Sequence, residues 1–401
     1  MLLVAVAALA AREASAQSDG DAAPQIHGFV SEGAFVSTAN DYIGSSSDGS
    51  LALFEAGINV SVEPAERLRA GIQLFSRKVG DLENEPRVDW AFVDYAWRPW
   101  LGLRAGRIKM PFGLYNEFAD VDAARLQILL PSSIYPVKTR DVILSHTGFG
   151  LYGHVEPGCG RFGELDYQAW LGTLSVPDDA LDINGGSLVA VDPRYVTGAQ
   201  VFWRPPTEGL KVGATFVRAS IDYDLQLDDD VLAALIAMML VPPTYDGGVH
   251  LAQRPIQLGI ASVEYTRGDL TLAGEYSRVR TRQVTDLPLI PETIFDPEQF
   301  YVMASYRASE QLEVGSYYSV EHTDVDDRLG REGVTAGRWP KRWHGFQRDL
   351  AVTLRYDVNE HWLWKLEGHF IDGVSGLTSA ERAASTERYW GLFLLKTTVA
   401  F

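Results

Sequence analysis

The chain has 401 residues, 46% hydrophobic and 22% charged, with 53 acidic against 35 basic side chains and a formal net charge of −18. Beyond its first residues no uncharged apolar run reaches the ~18 residues of a helical membrane span, so that class is excluded. The acidic balance excludes a nucleic-acid partner, whose phosphates require a basic surface, and the single cysteine, Cys159, excludes an internal disulfide.

Leu2 to Ala11 form a short apolar stretch, and Ala14-Ser15-Ala16 supplies small residues at an export cleavage site before Gln17. Residues 1–16 therefore read as a signal peptide, although no Lys or Arg precedes the apolar stretch. The mature chain, 17–401, then runs as period-two segments, the signature of strands with two unlike faces. The segments are Ile26–Ser37, Leu51–Val62, Arg67–Lys78, Val88–Trp97, Leu101–Ile108, Thr147–Val155, Glu164–Thr173 and Tyr195–Trp203. After them come Leu210–Ser220, Ile256–Thr266, Asp269–Arg280, Gln299–Arg307, Leu312–Glu321, Arg348–Val358, His361–Asp372 and Glu387–Phe401. Sixteen strands is an even number, as a closed bacterial barrel requires.

The faces are legible. Phe54, Ala56, Ile58, Val60 and Val62 share one side of the second segment, with Glu55, Asn59 and Ser61 on the other. In the fourteenth, Leu350, Val352, Leu354 and Tyr356 oppose Ala351, Thr353, Arg355 and Asp357. In the fifteenth, Trp362, Trp364, Leu366 and Phe370 oppose Lys365, Glu367 and His369. A two-sheet sandwich gives the same alternation, so the connections decide. Short ones such as Arg98-Pro99-Trp100, Arg267-Gly268 and Asn359-Glu360 alternate with long ones near 38–50, 79–87, 109–146, 174–194, 221–255, 281–298, 322–347 and 373–386. This rhythm predicts an all-β, antiparallel up-and-down transmembrane barrel with tight periplasmic turns, long external loops and both termini periplasmic.

Counting back by twos from Phe401 gives Val399, Thr397, Leu395, Phe393, Gly391 and Tyr389. This resembles the C-terminal signature of outer-membrane barrels. The resemblance implies that the barrel-assembly machinery reads Phe401, Val399, Leu395, Phe393 and Tyr389. A second segment, Gly106-Arg107-Ile108-Lys109-Met110-Pro111-Phe112-Gly113-Leu114-Tyr115-Asn116-Glu117, resembles the point where 16-stranded porins enter a third loop that folds into the barrel and narrows it. Asp120-Val121-Asp122 and Leu130 to Tyr135 extend a likeness to poorly characterised proteobacterial porins and, distantly, to the phosphate-selective porin O/P group. Phosphate selectivity is not carried over, because the chain is acidic. The general resemblance covers the mature chain and implies an outer-membrane porin, without cofactor, that passes small hydrophilic solutes or ions by passive diffusion as a homotrimer.

The charges around this constriction loop, residues 109–146, are Arg104, Arg107, Lys109, Arg125, Lys138 and Arg140 against Glu117, Asp120, Asp122 and Asp141. They form either opposed rows that set a transverse field across the pore or pairs that pin the loop to the wall. Two further pairings have a chemical reading. Glu367 and His369 share a face as acid/base groups would, and His146 lies beside Ser145, but charged lumen walls abound in such neighbours. The alternative to a porin is accordingly a barrel enzyme or an adhesin with its function in the external loops. Acidic runs at Asp222, Asp224 and Asp228–Asp230, with Asp324, Asp326 and Asp327, lack an EF-hand pattern and read as solvated loops rather than a metal site. A helix is expected over Val231–Leu240, capped by Asp230 or a neighbour, apolar all round and buried among the loops or in a subunit contact. Trp97, Trp100, Trp203, Tyr389 and Trp390 read as interfacial girdle, or in part as pore-lining sugar platforms. Facing lipopolysaccharide, a surface this acidic is expected to need bridging divalent cations.

Overall fold

The computed structural model describes residues 23–176, 185–287 and 292–401; the expected signal peptide lies outside them. Alternating sequence becomes strand because each segment has an apolar face for lipid and a polar or small face for the interior. The strands are β1 (Gln25–Ser37), β2 (Ser50–Ala65), β3 (Leu68–Val79), β4 (Leu82–Arg98), β5 (Leu101–Lys109), β6 (Ser145–Val155), β7 (Glu164–Leu174), β8 (Gly186–Arg204) and β9 (Leu210–Leu227). They continue as β10 (Gly248–Arg267), β11 (Leu270–Thr285), β12 (Thr293–Phe295), β13 (Glu298–Arg307), β14 (Leu312–His322), β15 (Phe346–Asn359), β16 (Trp362–Gly373) and β17 (Tyr389–Ala400). Each pairs antiparallel with its chain neighbours, and β17 returns to β1 from Phe29↔Ala400 to Ser37↔Leu392. The short β12 caps the upper part of β11, whose lower part pairs with β13. The result is a closed barrel of sixteen strands. Closure removes the open edge, whose unpaired N–H and C=O groups would cost several kcal/mol each in lipid.

The predicted faces hold. Leu350, Val352, Leu354 and Tyr356 point outward, as do Trp362, Trp364, Leu366 and Phe370, whereas Lys365, Glu367 and His369 are buried inside. Closure ends at Phe401, whose N–H donates to the Gly28 carbonyl at 2.9 Å and whose carbonyl accepts from Gly28 N–H at 3.0 Å. A Cβ at Gly28 would lie 2.5 Å from the Phe401 ring. Gly28→Val is therefore expected to displace Phe401 and loosen the seam, read as a lower temperature of heat-modified gel migration, by several degrees for the ~1–3 kcal/mol of overpacking.

Four expectations are corrected. The supposed long loop at 79–87 is a tight turn, because β4 begins at Leu82 and Lys78 pairs with Glu83. Parts of the segments at 174–194, 221–255 and 281–298 are strand, namely 186–194 in β8, 221–227 in β9, 248–255 in β10 and 281–285 in β11, while 177–184 and 288–291 lie outside the described residues. Alternating polar residues such as His250, Gln253 and Gln283 pair in ladders beyond the apolar band as readily as within it. The helix, α2 (Asp229–Ala237), is shorter than expected, is preceded by Asp228, and buries no residue. Leu232, Leu235 and Ile236 lean on Val241, Val249 and Leu287, while Met239, in the left-handed region, is 88% exposed. Trp390 is also moved: its indole turns inward and donates to the Gly373 carbonyl at 3.0 Å, leaving the interface to Tyr389.

Candidate functional site

The site is the segment between β5 and β6. Lys109 and Ser145 are register partners, and Met110 N–H donates to the Leu144 carbonyl at 2.8 Å, so residues 110–144 leave and re-enter the wall at one point. Asn116 ties the neck, donating to the Met110 and Ile143 carbonyls at 3.0 and 2.9 Å. The segment then folds into the barrel and carries only short helical turns, including α1 (Arg140–Ile143).

What holds it there is first apolar burial. Met110, Phe112, Leu114, Leu130, Ile134 and Tyr135 pack against Trp170, Val196, Val217, Ile260, Tyr301 and Tyr317 of the wall. On the other side Ile128 and Leu129 join Phe35, Leu53, Ile371 and Leu392. Each such side chain contributes roughly 1.5–3 kcal/mol, which outweighs the small net gain of buried ion pairs. Apolar contact makes the segment dock; polar groups decide where.

Two wall carboxylates grip its backbone. Glu367 accepts the N–H groups of Ile128 and Leu129, both at 2.8 Å, with Thr353 and His369 completing its shell. Glu275 accepts from Leu114 N–H at 2.9 Å, from Ser262 and Tyr301, and from the Tyr135 hydroxyl. Burial, then the nearby Glu275 charge, raises the Tyr135 pKa well above that of a free phenol, keeping it a donor. Gly113, at φ +58, sits where a Cβ would meet Tyr135 and Glu275.

A third anchor is ionic. Asp122, fully buried, lies 3.0 Å from both Lys365 and Lys396 and accepts from Thr398 at 2.8 Å. Lys365 also donates to the Asp122 and Arg125 carbonyls at 2.7 and 2.8 Å, and Lys396 reaches Glu55. Burial alone would raise the Asp122 pKa, but Lys365, Lys396 and Arg125 overcome it and hold the carboxyl far below the ordinary carboxylate range. A folded-state pKa below the unfolded value of about 4 gives stability that is complete above that pH and lost only below it. On the acid side, the Asp122 carboxylate is accordingly expected to hold its anchor down to about pH 5 and to weaken only below about pH 4, read as a rise in single-channel conductance in that range.

The expected loop charges are placed as follows. Lys109 donates to Asp120 at 2.5 Å and to the Glu117 carbonyl at 2.7 Å, and Gln73 also binds Asp120. Gln168 donates to Glu117. Arg140 bridges Asp89 and Asp141 at 3.2 and 2.7 Å, and Asp141 takes Arg77 and Arg87 as well. Burial opposes the Arg140 charge, yet Asp89, Asp141 and Asp120 keep its pKa above the usual arginine value. Lys138 pairs with Glu381 of α3 (Ser379–Ala384), in the connection between β16 and β17. Arg107 donates to the Asp89 carbonyl and to Ser175. Arg104 is not brought to the loop: it pairs with Asp94 on the wall at 2.8 Å.

Residues the sequence reading left unassigned are Glu55, Arg77, Glu275, Thr353, Lys365 and Lys396, all on strands. Their signal was present in the alternation, which marks a charged residue among inward positions. At mid-height the lumen is packed: Ser31, Gln73, Gln200, Tyr301, Tyr317, Glu367 and Thr398 are each at most 2% exposed. A cavity of ≈50 Å³, room for a few waters, remains between the loop and β2, β3 and β17, and its charged lining is Glu55, Arg77, Arg125, Arg140 and Lys396.

Of the acid/base neighbours, His369 bridges Asp349 and Glu367 at 2.9 and 3.1 Å beneath the docked loop, and both nitrogens of His146 are buried with no hydrogen-bond partner among the described residues. Among the described residues no three His, Cys, Asp or Glu side chains come together as metal ligands. Asp222 instead binds Arg194 and Arg254, and Asp327 accepts the N–H groups of Arg331 and Gly333.

No family model matches the sequence. A curated relative, an uncharacterized protein of Aquifex aeolicus, is 29% identical over 152 residues, 34% of this chain and 31% of that one, so the chain aligns with under a third of that relative's length. Among solved structures, the anion-selective porin from Comamonas acidovorans is similar with a TM-score of 0.58 at 11% identity, over 95% of this chain and 100% of that one. OmpF of Salmonella typhi gives 0.58 at 13% identity over 95% and 98%. The trimer form of in-vitro folded OmpT of Vibrio cholerae gives 0.57 at 11% over 95% and 100%. At these identities the likeness is one of fold, that of the outer-membrane porins.

Proposed function

We propose that the chain is an outer-membrane porin that passes small hydrophilic solutes or ions by passive diffusion, with the long loops outside and the short turns in the periplasm. The observation that carries this reading is a segment anchored inside a closed sixteen-strand barrel beside a charged cavity. An enzyme would need an accessible nucleophile or acid/base pair, and the buried Asp349–His369–Glu367 chain instead ends on Glu367, which grips the loop backbone. The packed lumen implies a small resting conductance that grows when the loop shifts. Four of the five charged groups around the cavity are cationic, which supports a preference for anions despite the net charge of −18. A homotrimer is proposed by analogy with the trimeric fold neighbour, and assembly is proposed to read the terminal strand through Phe401. The test is the purified protein in planar bilayers. Stepwise, anion-favouring channels are expected; well-folded protein without conductance would sink the porin reading.

A further inference from the structure

The outer wall is apolar at mid-height, yet arginines point outward from it toward the loop end of β9 and β11. Alternation sets their direction. Val217 and Ala219 pack into the interior cluster, so Arg218 between them faces out; Ile256 and Leu258 pack inward, so Gln257 faces out; Ser277 is buried inside, and Arg280 lies on the opposite face. Arg218 and Arg280 are both register partners of Gln257, from either side. Two strand spacings therefore put them roughly 10 Å apart at one height.

Most neighbouring arginines are neutralised. Arg278 is held by Asp296 through two bonds at 2.7 and 2.8 Å, Arg194 and Arg254 share Asp222, and Arg282 pairs with Glu292. Arg218 and Arg280 are exposed and, among the described residues, neither has a carboxylate partner. In a chain with 53 acids that is a selective omission. One step toward mid-barrel, Gly259 is in register with Phe216 and Arg278, and a Cβ there would meet nothing within 4 Å. Phe216 and Tyr276, both about half exposed, flank this notch, which continues over Val263.

We propose that Arg218 and Arg280 form a binding site for the phosphorylated headgroup of an outer-leaflet glycolipid, the lipid A part of lipopolysaccharide, with an acyl chain lying in the notch over Gly259. Guanidinium forks match phosphate oxygens, Gln257 between them suits sugar hydroxyls, and the apolar channel below suits the chain. This direct contact replaces the divalent-cation bridge expected from net charge. The site rests on the outer-membrane reading, because it lies at the loop end of the wall.

The test is native mass spectrometry of the detergent-purified protein with EDTA present, using diphosphoryl lipid A, lipid A stripped of its phosphates, and phosphatidylglycerol as probes. The wild type is expected to retain diphosphoryl lipid A over the other two, and R218Q/R280Q to bind it about tenfold more weakly or worse. R218K/R280K, which keeps charge but not the fork, should fall between, and R67Q at the opposite rim should change nothing. Equal retention by R218Q/R280Q, loss on chelation, or phosphatidylglycerol held as tightly as lipid A would overturn the site. Conductance is read on the same samples: absence of channels with intact lipid retention would fault the porin reading alone.

Discussion

Asp122→Ala is expected to raise the single-channel conductance several-fold while leaving a closed, heat-modifiable barrel. The substitution leaves Lys365 and Lys396 facing each other across a buried gap, both having lost the carboxylate 3.0 Å away. Removing one partner from such a cluster costs about 3–5 kcal/mol. The wall ladders do not depend on Asp122, so the strain falls on the docked loop, which moves out of the lumen. Planar-bilayer recordings of folded protein check it. The companion variant, Asp122→Leu with Lys365→Met and Lys396→Met, replaces the charges by apolar groups of similar size, a change that is often neutral or stabilising. It is expected to return the conductance to the wild-type level. An unchanged conductance in Asp122→Ala would show that the apolar contacts alone keep the loop in place.

Arg140→Glu is expected to turn the channel from anion to cation preference. The new carboxylate would stand beside Asp89 and Asp141, which the guanidinium now neutralises, and at the edge of the ≈50 Å³ cavity. In so narrow a space the local charges, rather than the net charge of the chain, set the potential met by a solute. The reversal potential in a salt gradient should change sign for Arg140→Glu and move part of the way for Arg140→Gln. A reversal potential unaffected by both would place the ion path elsewhere.

The barrel was legible in the sequence because lipid imposes its rule on each strand in isolation: Leu350, Val352 and Leu354 must face out wherever their partners lie. The loop was legible for a different reason, the porin-like segment from Gly106 to Glu117. Its anchors were not, since nothing local tells Asp122 that Lys365 and Lys396, more than 240 positions along the chain, will meet it. Helix α2 misled for the opposite reason: an apolar run of Leu, Ile and Met says that contact is wanted but not with what, and this chain by itself covers only part of it. The lengths of β8 to β11 escaped because outside the apolar band polar alternation marks loop and ladder alike.

The neck at Lys109 and Ser145 makes wall and filling two separate mechanical bodies joined at one stitch. Because the chain leaves and rejoins the same rung, whatever happens to residues 110–144 is hung from the wall rather than woven into it. The barrel can keep every rung while the filling swings, shortens or is exchanged. Permeability can thus change along an evolutionary lineage, or by design, at little expense to the part that must survive in the membrane.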